Sequence, residues 1–470
     1  MARRNKRVIL ENLEVIDAGA KGKAVAKAAD GRVVFIDNAV PGDVVTVQTH
    51  KKRRSYYEGK AISFEKLSDK RVEPACSYFG TCGGCKWQHM GYEHQLHFKQ
   101  KEVENNLSRL GGIQLPPISP IIGSKDTYFY RNKMEFSFSD SKWLTQEQIE
   151  SDEVVTNRNA LGFHIPGMWD KILDIEMCHL QRDPSNAIRN FVKSKAEELQ
   201  IPFFNTRNQE GMLRTLMIRT SSTGELMVLI QFFYEDKALR EAILNAVKEA
   251  FPEITSLLYV INSKGNDTIY DQEVICFHGR DHIFEEMEGL KFKINAKSFY
   301  QTNSEQAYEL YKVTRDFASL SGNELVYDLY TGTGTIAQFV AKKAQKVVGI
   351  EAVPDAITAA KENAKNNGIE NAEFFVGDMK NIFNDQFISE NGHPDVVITD
   401  PPRDGMHKDV VAQLLTLNPE KIVYVSCNSA TQARDLALMD HAYKVTKVQP
   451  VDMFPQTHHV ENVVLLEKRG

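Results

Sequence analysis

The feature that most constrains the fold is a regular alternation in the last third of the chain. From Tyr327 onward, stretches with helical periodicity separate apolar runs of strand length, which read LVYDLY, KVVGIE, AEFFVGD, DVVITD and KIVYVSC. A further pair of strands is expected near 444–448 and 461–467. This alternation predicts a mostly parallel sheet with helices on both of its faces.

A glycine loop follows the first of these strands and opens a helix. It reads DLYTGTGTIA and fits the pattern G-x-G-x-x-A through Gly332 and Gly334. Glu351 ends the next strand, where an acid that binds the ribose hydroxyls is expected. The loop alone does not distinguish NAD from S-adenosyl-L-methionine, because both cofactors carry an adenosine ribose.

Four acidic residues follow or end four successive strands. Because ligands of an open α/β sheet bind outside the carboxyl ends of its strands, these acids are expected at one edge. A single acid at such a place is usually a helix N-cap, but four in succession suit a cationic, hydroxyl-rich ligand better. Asp400 also precedes two prolines, a pattern typical of methyltransferases that act on bases. The four acids are Asp328, Glu351, Asp378 and Asp400.

A cysteine and a glutamate are the candidates for the chemistry. Cys427 ends the fifth strand beside the expected cofactor pocket, which suits a nucleophile better than an inert core thiol. Glu461 stands at the beginning of the last strand and is a candidate general base, unless it is only a surface glutamate. His458 and His459 are the competing bases.

A second group of cysteines indicates a metal site. Cys76, Cys82 and Cys85 cluster in the sequence, and Cys178 is the best candidate for a fourth ligand. Three local cysteines and one remote one suit a 4Fe–4S cluster at least as well as structural zinc, which usually has two local pairs. Unligated thiols are the third interpretation. Nearby histidines keep mixed zinc ligation open: His89, His94, His97 and His179.

The N-terminal region is basic and rich in short strands. Residues 1–71 hold 16 Lys and Arg against 9 Asp and Glu, whereas the remainder holds 41 against 54. Short apolar runs between turn signals predict a small barrel of the OB type. The basic run Lys51, Lys52, Arg53 and Arg54 precedes Tyr56 and Tyr57. This combination favours RNA contact by charge neutralisation and base stacking, although a basic surface loop is the simpler alternative.

We therefore expect a multidomain α/β protein with three parts. Residues 1–68 form the barrel, residues 69–290 a mixed α and β domain with the metal site, and residues 291–470 the Rossmann-like domain. A helix at about 92–110 is expected to pack on this last domain. In the central part, strands are predicted for EFSFS, LMVLIQFFY and SLLYVI, and helices for PSNAIRNFVKSKAEEL and DKALREAILNAVKEAF. No apolar run reaches the roughly 20 residues of a membrane span, and we expect a cytoplasmic protein without a signal peptide.

These motifs together resemble the RNA (uracil-5-)-methyltransferase family, and in particular its iron–sulfur members that act on 23S ribosomal RNA. The resemblance covers nearly the whole chain and includes a TRAM-like N-terminal barrel. Thr331 departs from the many members that carry cysteine at this place in the glycine loop, a position that is not catalytic. The matching blocks are CSYFGTCGGC, DIEMCHL, FYQTN, DLYTGTGT, DPPRDG, SCN and FPQTHHVE.

The resemblance implies roles for single residues. Cys427 would add to C6 of the uracil ring, and Glu461 would remove the proton from C5. The S-adenosyl-L-methionine site would be built from Gln301, Tyr330, Glu351 and Asp400, with Asp378 near the adenine. The 4Fe–4S cluster would be held by Cys76, Cys82, Cys85 and Cys178. Besides the basic run of the barrel, further candidates for RNA contact are Arg131, Lys133 and Arg403.

The resemblance also implies that the RNA substrate is 23S ribosomal RNA, with transfer RNA as the alternative. We expect the protein to be a monomer. The target base would have to leave its stack to reach the pocket. Two other classes stay open at this point. An NAD-dependent enzyme would leave Cys427 and the basic barrel without a task, and a non-catalytic RNA-binding protein would leave the acids at the sheet edge unexplained.

Overall fold

The computed structural model describes residues 7–151 and 154–470 and divides the chain into two compact units. The first unit is discontinuous and consists of Met1–Thr127, Pro401–Val411 and Tyr424–Gly470. The second unit consists of Tyr128–Asp400 and Ala412–Val423. This division does not follow the three expected domain bounds, which stay a prediction. None of the helices described is long and apolar enough to cross a membrane.

The N-terminal part of the first unit is a closed barrel of five strands in the order β1-β2-β3-β5-β4. Inward-facing residues alternate with outward-facing ones, as the period of a strand requires. Val15, Val34, Ile36, Val45 and Val47 fill its interior. The predicted barrel is confirmed, although residues 1–6 of the predicted module lie outside the described residues. The strands are β1 (Ile9–Ala18), β2 (Ala24–Lys27), β3 (Val33–Asp37), β4 (Val44–Lys52) and β5 (Tyr56–Lys66).

A long helix follows the cysteine segment of the first unit. Helix α1 (Tyr92–Asn105) continues as a wider turn, Asn106–Leu110, and ends before two glycines. Its weakly amphipathic sequence buries two polar side chains, Gln95 and Lys99, as well as Phe98 and Val103. Polar groups in such a position need partners, and α1 finds them near the C-terminus of the chain.

The first unit also contains the end of β19 (Lys421–Ser426), helix α11 (Ser429–Met439), β20 (Tyr443–Val451) and β21 (Glu461–Lys468). These strands are neighbours in the order β19-β21-β20. Strands β20 and β21 pair antiparallel, with Val451 opposite Glu461. Residues 452–460 connect them and are called the β20–β21 loop below.

The second unit contains a mixed seven-stranded sheet with the order β12-β11-β10-β9-β6-β7-β8. The three strands and two helices predicted for this region are confirmed. A separate hairpin, β13 (His282–Met287) and β14 (Leu290–Asn295), follows it. The strands of the sheet are β6 (Lys133–Ser139), β7 (Ala160–Ile165), β8 (Met168–Asp174), β9 (Leu213–Thr220), β10 (Leu226–Phe232), β11 (Ser256–Ile261) and β12 (Ile275–Gly279), and the helices are α2 (Gln146–Glu150), α3 (Ser185–Glu198) and α4 (Lys237–Ala250).

The rest of the second unit is the predicted parallel sheet, with the order β17-β16-β15-β18 followed by the start of β19. Strand β15 pairs parallel with both β16 and β18, and β16 pairs parallel with β17. The strands are β15 (Leu325–Leu329), β16 (Lys346–Glu351), β17 (Ala372–Val376) and β18 (Val396–Thr399). The helices are α5 (Ser304–Ala318), α6 (Thr335–Ala341), α7 (Pro354–Asn366), α8 (Met379–Ile382), α9 (Asp385–Asn391) and the larger part of α10 (Lys408–Leu417), which begins in the first unit.

Candidate active site

The glycine loop wraps around a buried carboxyl group at the end of β15. Asp328 is 1% exposed, and its Oδ2 accepts hydrogen bonds from Thr331 Oγ1 at 2.5 Å and Ala337 N at 3.1 Å. The loop turns through positive φ at Gly332 (55°) and Gly334 (76°), which glycine adopts without strain. Thr331 therefore contributes a hydroxyl that binds Asp328. The other carboxylate oxygen, Oδ1, is buried without a hydrogen-bond partner.

The acid at the end of β16 braces the same loop. Glu351 accepts hydrogen bonds from Gly332 N at 3.2 Å and from Val353 N at 3.0 Å. A Cβ added to Gly332 would meet no heavy atom within 4 Å, so the loop borders open space here. By contrast, a Cβ on Gly334 would lie 2.9 Å from the Phe374 ring, which restricts that position to glycine. The loop is thus packed on its sheet side and open on its ligand side.

Asp400 completes the row of acids at the centre of the sheet. It follows β18 directly, and its N–H donates to Leu329 O at 3.3 Å. Burial and then the charge of Asp328 raise the pKa of Asp400 to about 7. Burial likewise raises the pKa of Asp328 to about 7, with the charge of Glu351 adding to it. The parallel pairing of β15 to β18 brings these carboxyl groups to one edge, as the sequence predicted.

The fourth acid has a different role in the structure. Asp378 is exposed, and it caps α8 by accepting a hydrogen bond from Lys380 N at 3.0 Å. It lies beyond β17 at the same edge of the sheet, since β17 is parallel to β16. The helix-cap interpretation therefore applies to Asp378, which leaves its part in a cofactor site a prediction.

A residue that sequence reasoning missed holds the segment containing Gln301. The Nδ2 of Asn132 donates to Gln301 O at 2.9 Å and to Ser304 Oγ at 2.8 Å, and Asn132 N donates to Thr302 O at 2.8 Å. Tyr330, the other predicted cofactor residue outside the acids, has a left-handed backbone with φ of 63°. The only sequence signal for Asn132 was its place between two cationic residues.

Those two cations, Arg131 and Lys133, are partly buried at the start of β6. Lys133 forms an ion pair with Glu135 at 2.6 Å, and Arg131 N donates to Leu180 O at 2.8 Å. Both residues thus have contacts within the second unit, and their predicted contact with RNA stays a prediction.

Cys427 lies between a strand and a helix in the first unit. It follows β19 and precedes Asn428, which caps α11 by accepting a hydrogen bond from Ala430 N at 3.1 Å. Ser426 Oγ accepts a hydrogen bond from Asn428 N at 3.1 Å, so the backbone on both sides of the cysteine is fixed. Asn428 Nδ2 also donates to Arg403 O at 3.0 Å, which anchors the end of the D-P-P-R segment beside it.

Glu461 is the first residue of β21, and it lies at the edge of the sheet where β19 ends. The buried Gln432 of α11 donates to Tyr424 O of β19 at 3.0 Å and to Asn462 O of β21 at 3.3 Å. Since Tyr424 is three residues before Cys427 and Asn462 follows Glu461, one side chain ties the two candidate residues' strands together at the same end. Glu461 is only 5% exposed.

The structure makes His458 a weaker candidate than Glu461 for the general base. Burial, followed by the positive charges of His459, Lys99 and other nearby cations, lowers the pKa of His458 to about 3. A group this hard to protonate is a poor general base at neutral pH. The rings of His458 and His459 lie 4.1 Å apart.

The basic run of the barrel is only partly available to a ligand. Lys52, Arg53 and Arg54 are exposed, whereas Lys51 forms an ion pair with Glu58. Tyr57 is 3% exposed and belongs to the barrel core, so the expectation that it stacks on a base is wrong. It faces inward because neighbouring residues of a strand point to opposite sides. Its partner in the prediction, Tyr56, packs edge-on against Phe35.

The predicted metal ligands lie in two different segments. Cys76, Cys82 and Cys85 are in the first unit, where Cys76 N donates to Gln88 Oε1 at 3.2 Å. Cys178 is in the second unit, and its N–H donates to Asn186 Oδ1 at 2.8 Å. Within residues 7–151 and 154–470, no three His, Cys, Asp or Glu side chains are grouped so that they could hold a metal ion. The predicted cluster is therefore not confirmed.

Comparison with known proteins places the chain in a family of enzymes. The model of the tRNA (uracil-5-)-methyltransferase family matches residues 222–469. An uncharacterised RNA methyltransferase of Bacteroides thetaiotaomicron is 58% identical over 96% of this chain and all of its own length. One from Porphyromonas gingivalis is 57% identical over 97% of this chain and 99% of its own length.

A solved structure extends the similarity to the fold. The Pyrococcus abyssi tRNA (uracil-54, C5)-methyltransferase, in complex with S-adenosyl-L-homocysteine, is 28% identical to this chain with a TM-score of 0.75. The match covers 97% of this chain and 100% of the Pyrococcus chain. The barrel, the mixed sheet and the parallel sheet thus belong to a fold that has been seen with the demethylated form of a methyl donor.

Proposed function

Because the chain belongs to the tRNA (uracil-5-)-methyltransferase family and is an RNA (uracil-5-)-methyltransferase, we propose that it methylates C5 of a uridine through a covalent bond from Cys427 to C6. The observation that carries this proposal is the bridge of Gln432 between β19 and β21. It brings a cysteine and a buried glutamate to one sheet edge. An NAD-dependent enzyme or a binding protein has no use for this pair.

The chemistry follows from the weak nucleophilicity of uracil C5. The Cys427 thiolate adds to C6, the S–C6 bond forms, and the ring electrons move to C5 and O4. After C5 has been methylated, Glu461 accepts the C5 proton. The electron pair of the broken C5–H bond restores the C5–C6 double bond and expels the thiolate. One difficult substitution is thereby divided into easier steps.

The residues at the edge of the parallel sheet fit a cationic cofactor. S-adenosyl-L-methionine supplies a methyl group on a positively charged sulfur when it is bound. Asp328 Oδ1 is buried with no hydrogen-bond partner, and Gly332 faces open space, so the edge has an unused acceptor and room for a ligand. Glu351 would accept the ribose hydroxyls, and Asp400 would face the positive charge. We also propose that Gln301, Tyr330 and Asp378 contribute to this site.

The covalent step is tested with RNA that contains 5-fluorouridine. Fluorine cannot leave as a cation, so the wild-type enzyme should form an RNA adduct that survives denaturing electrophoresis. Cys427→Ala should form no adduct while S-adenosyl-L-methionine still raises its melting temperature. Cys276→Ala, at an exposed cysteine of the edge strand β12, is the matched control and should form the adduct normally. An adduct in Cys427→Ala would refute the assignment.

The RNA substrate is proposed to be 23S ribosomal RNA, because the basic barrel and the cysteine cluster resemble the branch that acts on it. Transfer RNA is the second candidate, favoured by the Pyrococcus structure and the family description. Mass mapping of 5-methyluridine in both RNAs, from cells with and without the gene, decides between them. Loss of the modification from 23S RNA alone supports the first, and loss from transfer RNA alone the second.

A 4Fe–4S cluster on Cys76, Cys82, Cys85 and Cys178 is proposed on cysteine spacing only. No step of the chemistry above requires it. Three further proposals rest on the sequence as a whole: a TRAM-type role for the barrel, a monomeric state and a cytoplasmic location. Each of these is separable from the methylation chemistry by experiment.

A further inference from the structure

Helix α1 directs three polar side chains at the β20–β21 loop. Tyr92, Gln95 and Lys99 are spaced three and four residues apart, so they lie on one face of the helix. Each of them has a partner in the loop that precedes Glu461. Gln95 Nε2 also donates to Trp87 O at 3.1 Å and to Met90 O at 2.8 Å, and Tyr92 OH accepts from Ser124 N at 2.7 Å. A helix face of this polarity would normally be turned to water, and here it is buried against a loop more than 350 residues later in the chain.

Lys99 binds residues at the start of the loop. Its side chain and that of Asp452 are both 0% exposed, with 2.6 Å between Nζ and Oδ1. The same Nζ donates to Phe454 O at 3.1 Å, and Asp452 Oδ1 accepts from Phe454 N at 3.0 Å. Tyr92 OH donates to Asp452 Oδ2 at 2.8 Å. Both carboxylate oxygens of Asp452 therefore have fixed partners.

Gln95 forms hydrogen bonds with Gln456 in the middle of the loop. Gln456 has a left-handed backbone with φ of 67°, a conformation that is unfavourable for residues other than glycine. Its N–H donates to Gln95 Oε1 at 2.9 Å, and its Oε1 accepts from Gln95 Nε2 at 3.0 Å. Its carbonyl accepts from the N–H groups of Lys86 and Trp87 at 2.9 and 3.0 Å. The conformation is thus held from the outside.

Burying an ion pair is an expensive way to join a helix to a loop. Apolar side chains of similar size often give equal or greater stability, so a buried pair is better explained by the unique geometry that it imposes. Glu461, the candidate base, follows the loop directly, so the conformation of the loop affects where this side chain lies. Mispositioning of a reacting group by about 1 Å can lower a rate about 100-fold.

We propose that Gln95 and Lys99 are positioning residues for proton abstraction: they hold the β20–β21 loop in the one conformation that brings Glu461 to C5 of the uracil ring. This inference rests on the proposed function of Glu461. It predicts a defect confined to one step, the removal of the C5 proton, with addition of Cys427 and methyl transfer preserved.

The test measures the two steps separately in a single turnover. The enzyme receives RNA with tritium at C5 of uridine together with S-adenosyl-L-methionine labelled in its methyl group. Methyl incorporation reports transfer, and tritium release reports proton abstraction. Lys99→Met and Gln95→Leu should transfer the methyl group at near the wild-type rate. They should release tritium about 10- to 100-fold more slowly, with a covalent RNA adduct persisting meanwhile.

Controls separate positioning from folding. Lys99→Met alone leaves the Asp452 carboxylate buried without the compensating charge of Lys99, which destabilises the region, so the double variant Lys99→Met/Asp452→Leu removes both charges. Its melting temperature should recover while its tritium release stays slow. Lys101→Met makes the same substitution at a half-exposed lysine of α1 paired with Asp17, and it should behave as wild type.

Two results would overturn the inference. One is a folded double variant that releases tritium at the wild-type rate. The other is methyl transfer and tritium release that slow down equally. If instead the wild-type enzyme itself releases no tritium during methylation, the proposed function has failed and not merely the positioning role.

Discussion

Asp328 and Asp400 end or follow neighbouring parallel strands, and the negative charge of Asp328 adds to burial in raising the pKa of Asp400 to about 7. The pKa of Asp328 is raised to about 7 as well, chiefly by burial. Near neutral pH the ligand-free edge therefore readily takes up a proton. A cation bound at this edge would favour the ionised carboxylates and release that proton.

Binding of S-adenosyl-L-methionine should consequently tighten as the pH rises from 6 to 8. One released proton changes the dissociation constant by up to about tenfold per pH unit below the pKa. S-adenosyl-L-homocysteine lacks the sulfonium charge and should show a smaller change. Calorimetric titrations of both ligands across this range measure the difference. Equal pH profiles for the two ligands would contradict the role assigned to the acids.

The same shift predicts how Asp400 affects the ligand-free protein. A carboxyl group whose pKa is raised on folding contributes stability that is present below its unfolded pKa, near 4, and is lost as the pH rises through about 7. Asp400→Asn stays neutral and avoids that loss. Its melting temperature should exceed the wild type's by about 2–4 °C at pH 8, and the two should converge at pH 4. A difference that is larger at pH 4 would refute this sign.

Glu461 and His458 should respond differently to substitution. Because the pKa of His458 is lowered to about 3, His458→Gln removes little basicity at pH 7 and should keep turnover within about threefold of the wild type. Glu461→Gln should complete methyl transfer and then stall as methylated RNA bound to Cys427. Denaturing gels with unsubstituted RNA detect that species. Free turnover by Glu461→Gln would move the role of base to His459.

The exposed cations of the barrel should contribute to RNA affinity through counterion release. Replacing Lys52, Arg53 and Arg54 by alanine should weaken binding and flatten its salt dependence by roughly 0.7–0.9 for each phosphate that is no longer neutralised. Lys60→Ala/Lys66→Ala removes charges from exposed sites on β5 and is the control. Deleting residues 1–68 is a poorer test, because Trp87 Nε1 donates to Gly22 O at 3.2 Å. An unchanged salt slope would argue against RNA binding by this surface.

The metal question has a direct measurement. If the cysteine spacing reflects a 4Fe–4S cluster, anaerobically purified protein should be brown and contain about four irons per chain. Cys85→Ser should lose the colour, and Cys276→Ser should keep it. Stoichiometric zinc in colourless protein would support the zinc alternative. Protein without either metal would exclude both.

The sequence predicted the parts of the site that depend on local pattern. Strand and helix alternation places the carboxyl ends of the parallel strands at one edge, so the sequence alone predicts that Asp328 and Asp400 lie together. Asp378 shows the limit of that reasoning, since the same position also suits a helix cap. Tyr57 was misplaced because a run of basic and aromatic residues does not reveal which side of a strand faces the core.

The supporting residues were out of reach for a different reason. Asn132 and Lys99 act through partners that are more than 150 residues away in the chain, Gln301 and Asp452. Pairings over such separations leave no periodic signal in a single sequence. Lys99 lies in a helix of low amphipathicity, so the sequence does not indicate that its side chain is buried.

The discontinuous first unit has a consequence for synthesis on the ribosome. The barrel has its own core and can fold as soon as it emerges, but the buried polar face of α1 is completed only later. Lys99 gains Asp452 and Phe454, and Gln95 gains Gln456, only once residues 452–456 have been translated, after the whole second unit. Phe98 of α1 can pack with Val40, Trp87 and Met90 early, but the contacts to the β20–β21 loop form last. On the role proposed above, this late step of folding is also the one that positions Glu461. A chain released early would have a finished barrel and no catalytic competence.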